Sequence, residues 1–95
     1  MLGFGASEIG HTPIEATALD TLLDNAEAVG INVIATAECY RGSEAAVGKA
    51  LAGRRDRFVV VTKCGHNLGM EHFENWDPQL LEHTIDRSLK RLQTD

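Results

Sequence analysis

An α/β fold built on a parallel sheet is predicted by three observations in the sequence. Short runs rich in β-branched residues alternate with longer segments of helical periodicity. Residues 58–62 are apolar at nearly every position, which is typical of a parallel strand covered on both faces. The strand–helix order repeats three times, and this order implies right-handed crossovers between parallel strands. The predicted strands are residues 2–5, 31–35 and 58–62, and the predicted helices are residues 13–29, 43–52 and 78–93.

The first strand–helix unit carries several local signals that agree with one another. Its strand is Leu-Gly-Phe-Gly at residues 2–5, where the glycines allow close backbone approach. A helix start is then predicted, because Thr12 can cap a helix, Pro13 suits its first position and Glu15 completes a capping box. Gly30 predicts a left-handed helix end. The apolar stripe of this helix consists of Ala16, Leu19, Leu23, Ala26 and Val29.

The second and third units follow the same plan. Ser43 is predicted to cap the second helix and Gly53 to end it. Asp77 and Pro78 predict the start of the third helix, and Trp76 is expected to cover that start as a hydrophobic lid. The apolar face of the second helix consists of Ala46, Val47, Ala50 and Leu51, and that of the third consists of Leu81, Ile85, Leu89 and Leu92.

Composition excludes several classes of protein. The chain has 95 residues, 43% of them hydrophobic, with 9 Lys+Arg against 14 Asp+Glu, so we expect one acidic domain and not a disordered chain. A pI of about 5.2 excludes a basic nucleic-acid binder, and residues 54–57 are interpreted as a solvated turn. No apolar run approaches the ~18 residues of a transmembrane span, so no membrane partner is expected. Cys39 and Cys64 are too few for a disulfide framework, which favours a reducing, cytoplasmic location.

Metal and dinucleotide signatures are missing from the sequence. Cys64, His66, His72 and His83 lack the paired spacing of a zinc site, so no metal is expected. His66 is better interpreted as a loop residue near the mouth of a pocket. The two glycines of the first strand are not followed by the third glycine of a dinucleotide-binding fingerprint.

Periodicity alone leaves two architectures open, a (βα)8 barrel and a doubly wound sheet. Six segments add a more specific signal: residues 2–5 (LGFG), 30–40 (GINVIATAECY), 43–44 (SE), 48–51 (GKAL), 60–63 (VVTK) and 87–95 (RSLKRLQTD). In this order and at this spacing, the segments resemble the aldo/keto reductase family over nearly the whole chain. The resemblance implies a (βα)8 barrel of which this chain supplies the first three βα units.

The resemblance also implies an activity and its residues. Aldo/keto reductases are NADP-dependent carbonyl reductases with a Tyr, a Lys, an Asp and a His at the carboxyl ends of barrel strands, where barrel active sites lie. Tyr40 matches the family's proton donor, and Lys63 matches the lysine that stabilises the tyrosinate. A free phenol has a pKa near ~10, so a neighbouring ammonium is needed to assist proton transfer at neutral pH. The resemblance therefore implies that Tyr40 and Lys63 are catalytic, with NADP(H) as cofactor and a small carbonyl compound as substrate.

Two departures from the family's pattern count against activity. Ala35 stands where the family has the aspartate that pairs with the lysine. The family's histidine follows the fourth strand, which would come after Asp95, and the loops that hold the cofactor phosphates follow later strands. We therefore expect neither catalysis nor NADPH binding from the 95-residue chain alone.

The length conflicts with a closed barrel, which needs ~200 residues or more. Three βα units would leave sheet edges and an apolar inner face exposed, which predicts self-association or cover by another chain. Three hypotheses remain. The chain is a piece of a longer reductase, a degenerate truncated relative that acts as a non-catalytic oligomerising or partner-binding module, or a fragment without independent stability. Ala35 favours the second hypothesis, because a working reductase has little reason to lose that carboxylate.

Overall fold

Three short parallel strands form one sheet in the computed structural model, which describes residues 2–12 and 14–95. The strand order in the sheet is the order in the chain, and each strand is followed by at least one helix. This arrangement agrees with the predicted α/β class. The elements are β1 (Gly3–Gly5), α1 (Ser7–His11), α2 (Ala16–Ala28), β2 (Val33–Ala35), α3 (Ser43–Ala50), a 3₁₀ turn (Arg55–Arg57), β3 (Val59–Val61) and α4 (Pro78–Leu92).

The residues of the three strands alternate between two faces of the sheet. Phe4, Ile34 and Val60 form one row across the sheet and pack into the core, where Ile34 is 1% exposed. On the opposite face, Val59 and Val61 are 56% and 46% exposed. The expectation that the third strand is covered on both faces is therefore wrong for the described residues, because three strands do not close around their inner side. We name this inner side the open face; its residues are Gly3, Gly5, Val33, Ala35, Val59 and Val61.

The core lies between the sheet and the helices. The predicted stripe of α2 is buried at Leu19, Leu23 and Ala26, whereas Val29 is 74% exposed just after the helix. From α3, Val47 is 1% exposed. Complete burial of one such aliphatic side chain contributes about 1.5–3 kcal/mol, so this side of the sheet stabilises the fold. The buried cluster is completed by Ala6, Ile9, Ile34, Leu51, Phe58 and Leu92.

The segment between β1 and α2 differs from the prediction. The additional helix α1 was not predicted; Thr12 follows its end and donates its backbone N–H to a carbonyl of α1 at 2.9 Å. α2 begins at Ala16, and Glu15 takes the cap position without a side-chain hydrogen bond, so Thr12 does not cap α2. Pro13, predicted at the first helical position, lies outside the described residues. Burial of Ile9 in the core gives α1 its tertiary support and places the start of α2 later in the chain.

Ser43 does not cap α3 as predicted, because Gly42 occupies the cap position with a φ of 70°. The Ser43 hydroxyl instead donates to the Ala6 carbonyl at 2.7 Å and shares a hydrogen bond with the Thr36 hydroxyl at 2.8 Å. All three residues are 0% exposed. We name Ala6, Thr36 and Ser43 the hydroxyl network; it joins the chain just after β1 and β2 to the first residue of α3.

The helix α4 begins as predicted, but its buried face differs from the predicted one. The Asp77 carboxylate accepts hydrogen bonds from two backbone N–H groups of the first turn, at 2.8 and 3.4 Å, and Pro78 takes the first helical position. On the predicted apolar face, Ile85 is 49% exposed. The buried side chains lie on a neighbouring face and include two small polar residues; they are Leu80, Thr84, Ser88 and Leu92.

Close contact between α3 and α4 explains this choice of face. A Cβ atom at Gly48 would lie 2.3 Å from the backbone oxygen of Arg91, so only glycine lets the two helices approach this closely. Small side chains at Thr84 and Ser88 suit the same tight packing. Packing against α3 therefore sets the orientation of α4, and the longer aliphatic side chains are left at the edge of the contact.

The arginine-rich turn at residues 54–57 is more than a solvated connection. The Arg54 guanidinium forms ion pairs with two carboxylates of α2, Asp24 and, at 3.3 Å, Asp20. The hydrogen bond that Arg54 donates to Asp24, together with the negative charges of Asp24 and Asp20, raises the pKa of Arg54 above its ordinary value. The turn after α3 is thus attached to α2.

Substitution of Ser43 by alanine tests the hydroxyl network. Ser43→Ala leaves the buried Thr36 hydroxyl and the Ala6 carbonyl without this partner, so we expect a loss of about 1–3 kcal/mol in the free energy of unfolding. The measurement is urea unfolding followed by circular dichroism. Thr21→Ala is the matched control, because the exposed Thr21 hydroxyl bonds only within its own helix. Equal unfolding midpoints for the two variants would contradict this role.

Candidate active site

Tyr40 and Lys63, the two residues predicted to be catalytic, lie side by side at the carboxyl ends of β2 and β3. The hydrogen-bond ladder between β2 and β3 continues beyond the last residues of these strands. The Thr36 N–H donates to the Val61 carbonyl at 2.8 Å, and the Glu38 N–H donates to the Lys63 carbonyl at 3.0 Å. The Lys63 ammonium lies 5.1 Å from the centroid of the Tyr40 ring. This distance is within the range of cation–π contacts.

A tight turn holds Tyr40 between β2 and α3. The Tyr40 N–H donates to the Ala37 carbonyl at 3.1 Å, and the Tyr40 carbonyl accepts from the Ser43 N–H at 3.0 Å. Gly42 adopts a left-handed φ of 70° in this turn, a conformation that favours glycine. The backbone of Tyr40 is therefore fixed on both sides, and its ring is half-buried beside Lys63.

Lys63 is hydrogen-bonded to a main-chain group. Its ammonium donates to the Thr36 carbonyl at 2.8 Å. Ala35 pairs with Val61 in the register and belongs to the open face, so it offers no carboxylate at the place where the family resemblance implies one. Because the Thr36 side chain belongs to the hydroxyl network, the acceptor of the Lys63 ammonium is itself held by buried hydrogen bonds.

A cavity of about 190 Å³ opens beside these two residues. His66 lines it, in agreement with the prediction that this histidine lies near a pocket mouth. Ligand sites in proteins usually measure about 300–1,000 Å³, so this cavity fits a small molecule and not a whole dinucleotide. Its lining includes Tyr40, Lys63, His66, Trp76 and both cysteines, Cys39 and Cys64.

Trp76 does not cover the start of α4 as predicted. The Trp76 indole lies against Gly65, where an added Cβ would come within 2.6 Å of the ring, and the Trp76 backbone N–H donates to the Gly65 carbonyl at 2.8 Å. Gly65 also has a φ of 130°, so this position requires glycine on two grounds. Trp76 is 66% exposed and forms one wall of the cavity next to Lys63.

A buried ion cluster behind the cavity was not predicted. We use this name for four residues, Glu38, Glu44, Arg87 and Arg91. The side chains of Glu38 and Glu44 are 3% and 2% exposed, whereas those of Arg87 and Arg91 are 27% and 40% exposed, so the buried part of the cluster is its carboxylates. Arg87 pairs with Glu38, while one terminal nitrogen of Arg91 lies 3.8 Å from Glu38 and 3.4 Å from Glu44. Glu44 also accepts a hydrogen bond of 2.6 Å from the Thr62 hydroxyl.

One sequence signal could have located half of this cluster. Glu44 precedes Val47 and Leu51 at helical spacing, which places its side chain on the buried stripe of α3. A carboxylate on such a stripe requires a cationic partner from elsewhere in the chain. The spacing of Arg87 and Arg91 puts both on one face of α4, but nothing in the sequence assigns them to Glu38 and Glu44.

Metal and membrane features can be stated for the part of the chain that the structure describes. There, no group of three or more His, Cys, Asp and Glu side chains could hold a metal ion. No described helix is both long enough and apolar enough to cross a bilayer.

Comparison with known proteins assigns the chain to a family. The family model for the aldo/keto reductase family matches residues 1–95. A structure described as a "putative aldo-keto reductase" from Pseudomonas aeruginosa is 36% identical with a TM-score of 0.84, and the match covers 98% of this chain and 36% of that protein. The holo form of an aldo-keto reductase from Bacillus halodurans is 36% identical with a TM-score of 0.77, covering 99% of this chain and 32% of that protein.

A third structure carries a cofactor. An aldo/keto reductase from Klebsiella pneumoniae in complex with NADP and acetate is 31% identical with a TM-score of 0.75, covering 98% of this chain and 31% of that protein. The chain thus spans about a third of the length of these relatives. No curated protein matches the chain. The family match, the three parallel βα units and the order of the motifs together show that this chain belongs to the aldo/keto reductase family and forms part of its (βα)8 barrel.

Proposed function

We propose that this chain supplies the proton-donating part of an NADP-dependent carbonyl reductase, with Tyr40 as the proton donor and Lys63 as its electrostatic support. The observation that carries the proposal is the 5.1 Å distance between the Lys63 ammonium and the Tyr40 ring at the carboxyl ends of β2 and β3. Barrel active sites lie at this end of the strands. The family membership of the chain supports the same assignment.

The roles of the two residues follow from their chemistry. The Tyr40 hydroxyl donates a proton to the carbonyl oxygen of a small substrate in the cavity. The neighbouring ammonium of Lys63 stabilises the tyrosinate that remains, because an opposite charge at this range favours the ionised phenol. The hydrogen bond from Lys63 to the Thr36 carbonyl keeps the ammonium beside the ring. A reduced nicotinamide, when bound, supplies the hydride.

The cofactor fits the described residues only in part. The cavity of about 190 Å³ accommodates a small carbonyl compound or one end of a larger ligand. Among residues 2–12 and 14–95 we find no glycine-rich turn before a helix that would hold the phosphates of a dinucleotide. We therefore assign cofactor binding to the remainder of a complete barrel, and the complex of the Klebsiella pneumoniae relative with NADP supports the choice of NADP.

A chimeric enzyme tests the reductase proposal. The 95 residues replace the matching third of the Pseudomonas aeruginosa relative, and the consumption of NADPH with a small aldehyde is followed. We expect measurable turnover that Tyr40→Phe lowers about 10²–10⁴-fold, which is the scale of general acid catalysis. The isolated chain should consume no NADPH. Equal rates for the chimera and its Tyr40→Phe variant would refute the role of Tyr40.

Restoring the carboxylate at position 35 gives a second test in the same chimera. Position 35 and Lys63 lie on the same face of neighbouring strands, because Ala35 pairs with Val61 two residues before Lys63. An aspartate there can hold the ammonium more firmly, so we expect Ala35→Asp to raise kcat by about ten- to a hundredfold. Ala35→Asn is the uncharged control. A gain that persists when Lys63 is replaced by Met would contradict the pairing.

An alternative function is supported by a different observation. Val59 and Val61 of the open face are exposed, and Ala35 removes the family's carboxylate from that face. We propose as the second candidate that the chain is a non-catalytic module that buries its open face against a second copy of itself.

Light scattering tests the second candidate. If the open face drives association, the purified chain forms dimers or larger species, and Val59→Lys with Val61→Thr shifts it toward monomer, because charge on an open sheet face opposes pairing. Val29→Lys is the control, since Val29 is equally apolar and 74% exposed but lies outside the sheet. A wild-type chain that stays monomeric at high concentration would contradict the module.

A further inference from the structure

We infer that Arg91 is a positioning residue, which holds the turn of Tyr40 and the strand of Lys63 in their relative places from behind the site. The inference rests on the proposed function, because positioning by Arg91 matters for catalysis only if Tyr40 and Lys63 are catalytic. Arg91 does not line the cavity of about 190 Å³ that contains Tyr40 and Lys63; it lines a neighbouring cavity of about 370 Å³ that Tyr40 also borders. It acts through Glu38 and Glu44 of the buried ion cluster, each of which is connected to one side of the site.

Glu38 connects Arg91 to the Tyr40 side. Glu38 lies two residues before Tyr40, and its backbone N–H donates to the Lys63 carbonyl in the last observed bond of the ladder. Its side chain points away from the open face, is 3% exposed and pairs with Arg87 and Arg91. Movement of the Tyr40 turn away from α4 would therefore separate a buried carboxylate from its cations, which is costly.

Glu44 connects Arg91 to the Lys63 side. Its carboxylate accepts the Thr62 hydroxyl at 2.6 Å, and Thr62 immediately precedes Lys63. The other carboxylate oxygen lies 3.4 Å from the same Arg91 nitrogen that approaches Glu38. One guanidinium thus bridges two buried carboxylates, one on each side of the site. Without it, Glu38 would keep only Arg87 as a cation, and the buried carboxylate of Glu44 would have no cationic partner among its described contacts.

The approach of α4 to α3 makes this bridge possible. Gly48 and Glu44 lie one turn apart on the same face of α3, and a Cβ at Gly48 would be 2.3 Å from the Arg91 carbonyl. Arg91 is therefore pressed against the helix that carries Glu44. The contact between Gly48 and the backbone of Arg91 leaves part of the predicted apolar face of α4 exposed. The same contact brings the Arg91 guanidinium close to Glu38 and Glu44.

Hydrogen exchange at single amides tests the inference, by comparison of the 95-residue chain with single-residue variants of it. The Glu38 amide, bonded to the Lys63 carbonyl, reports on the connection between the two sides of the site. The Val59 amide is the internal reference, because it donates to the Asn32 carbonyl at 2.7 Å at the other end of the same ladder. The variants are Arg91→Lys, which keeps the charge on a side chain one bond shorter, and Arg91→Met. Lys90→Met is the control for loss of a neighbouring exposed cation.

We expect Arg91→Met to accelerate exchange of the Glu38 amide by at least about tenfold, equivalent to about 1.4 kcal/mol. Arg91→Lys should give a smaller acceleration, and exchange of the Val59 amide should change by less than about twofold, because local opening leaves the rest of the ladder closed. Lys90→Met should change neither amide. Equal acceleration of both amides would reveal only a general loss of stability, and no acceleration would also overturn the inference.

Two features of this experiment keep its outcome interpretable. If Arg91→Met does not fold, the double variant Arg91→Met with Glu44→Gln removes both the cation and one buried anion, and the same selective acceleration is expected. The readout requires neither cofactor nor carbonyl substrate. A chimera without reductase activity would therefore refute the proposed function while leaving the positioning by Arg91 to be decided by exchange.

Discussion

Main-chain hydrogen bonds between β2 and β3, continued beyond the last residue of each strand, are the interactions on which the candidate site depends. Each of these strands has three residues, Val33–Ala35 and Val59–Val61, so the strands alone do not reach the residues of the candidate site. The additional bonds at Thr36 and Glu38 extend the parallel register to Lys63 and bring the following turn alongside it. If the ladder ended with β3, Tyr40 and Lys63 would belong to two independent loops.

Buried polar groups, and not apolar packing, secure this end of the sheet. The hydroxyl network joins the chain after β1 and β2 to α3, and the buried ion cluster joins α3 to α4. The Ser43 hydroxyl bonds to Ala6 of the first βα unit, and Arg91 of the third unit pairs with Glu44 of the second, so removal of Ser43 or Arg91 takes a partner away from buried polar groups. The aliphatic core supports the helices, while these polar contacts determine the positions of the turns that carry Tyr40 and Lys63.

The sequence was informative where local rules decide the structure. The order of strands and helices, the cap at Asp77 and the left-handed end at Gly30 all follow from short-range preferences, and the motif order led to the family. The catalytic roles of Tyr40 and Lys63 stay predictions. The predicted face of α4 was wrong because contact with Gly48, a residue 30 or more positions away, decides its orientation. The role of Ser43 and the pairing of Arg91 depend on such distant neighbours as well.

The bond between Lys63 and the Thr36 carbonyl has an evolutionary consequence. A main-chain acceptor survives every substitution at its own position that preserves the backbone, whereas a side-chain acceptor is lost in a single codon change. Alanine can therefore stand in place of aspartate at position 35 while the Lys63 ammonium stays bonded to the Thr36 carbonyl. The arrangement of Tyr40 and Lys63 is therefore compatible with an uncharged side chain at position 35.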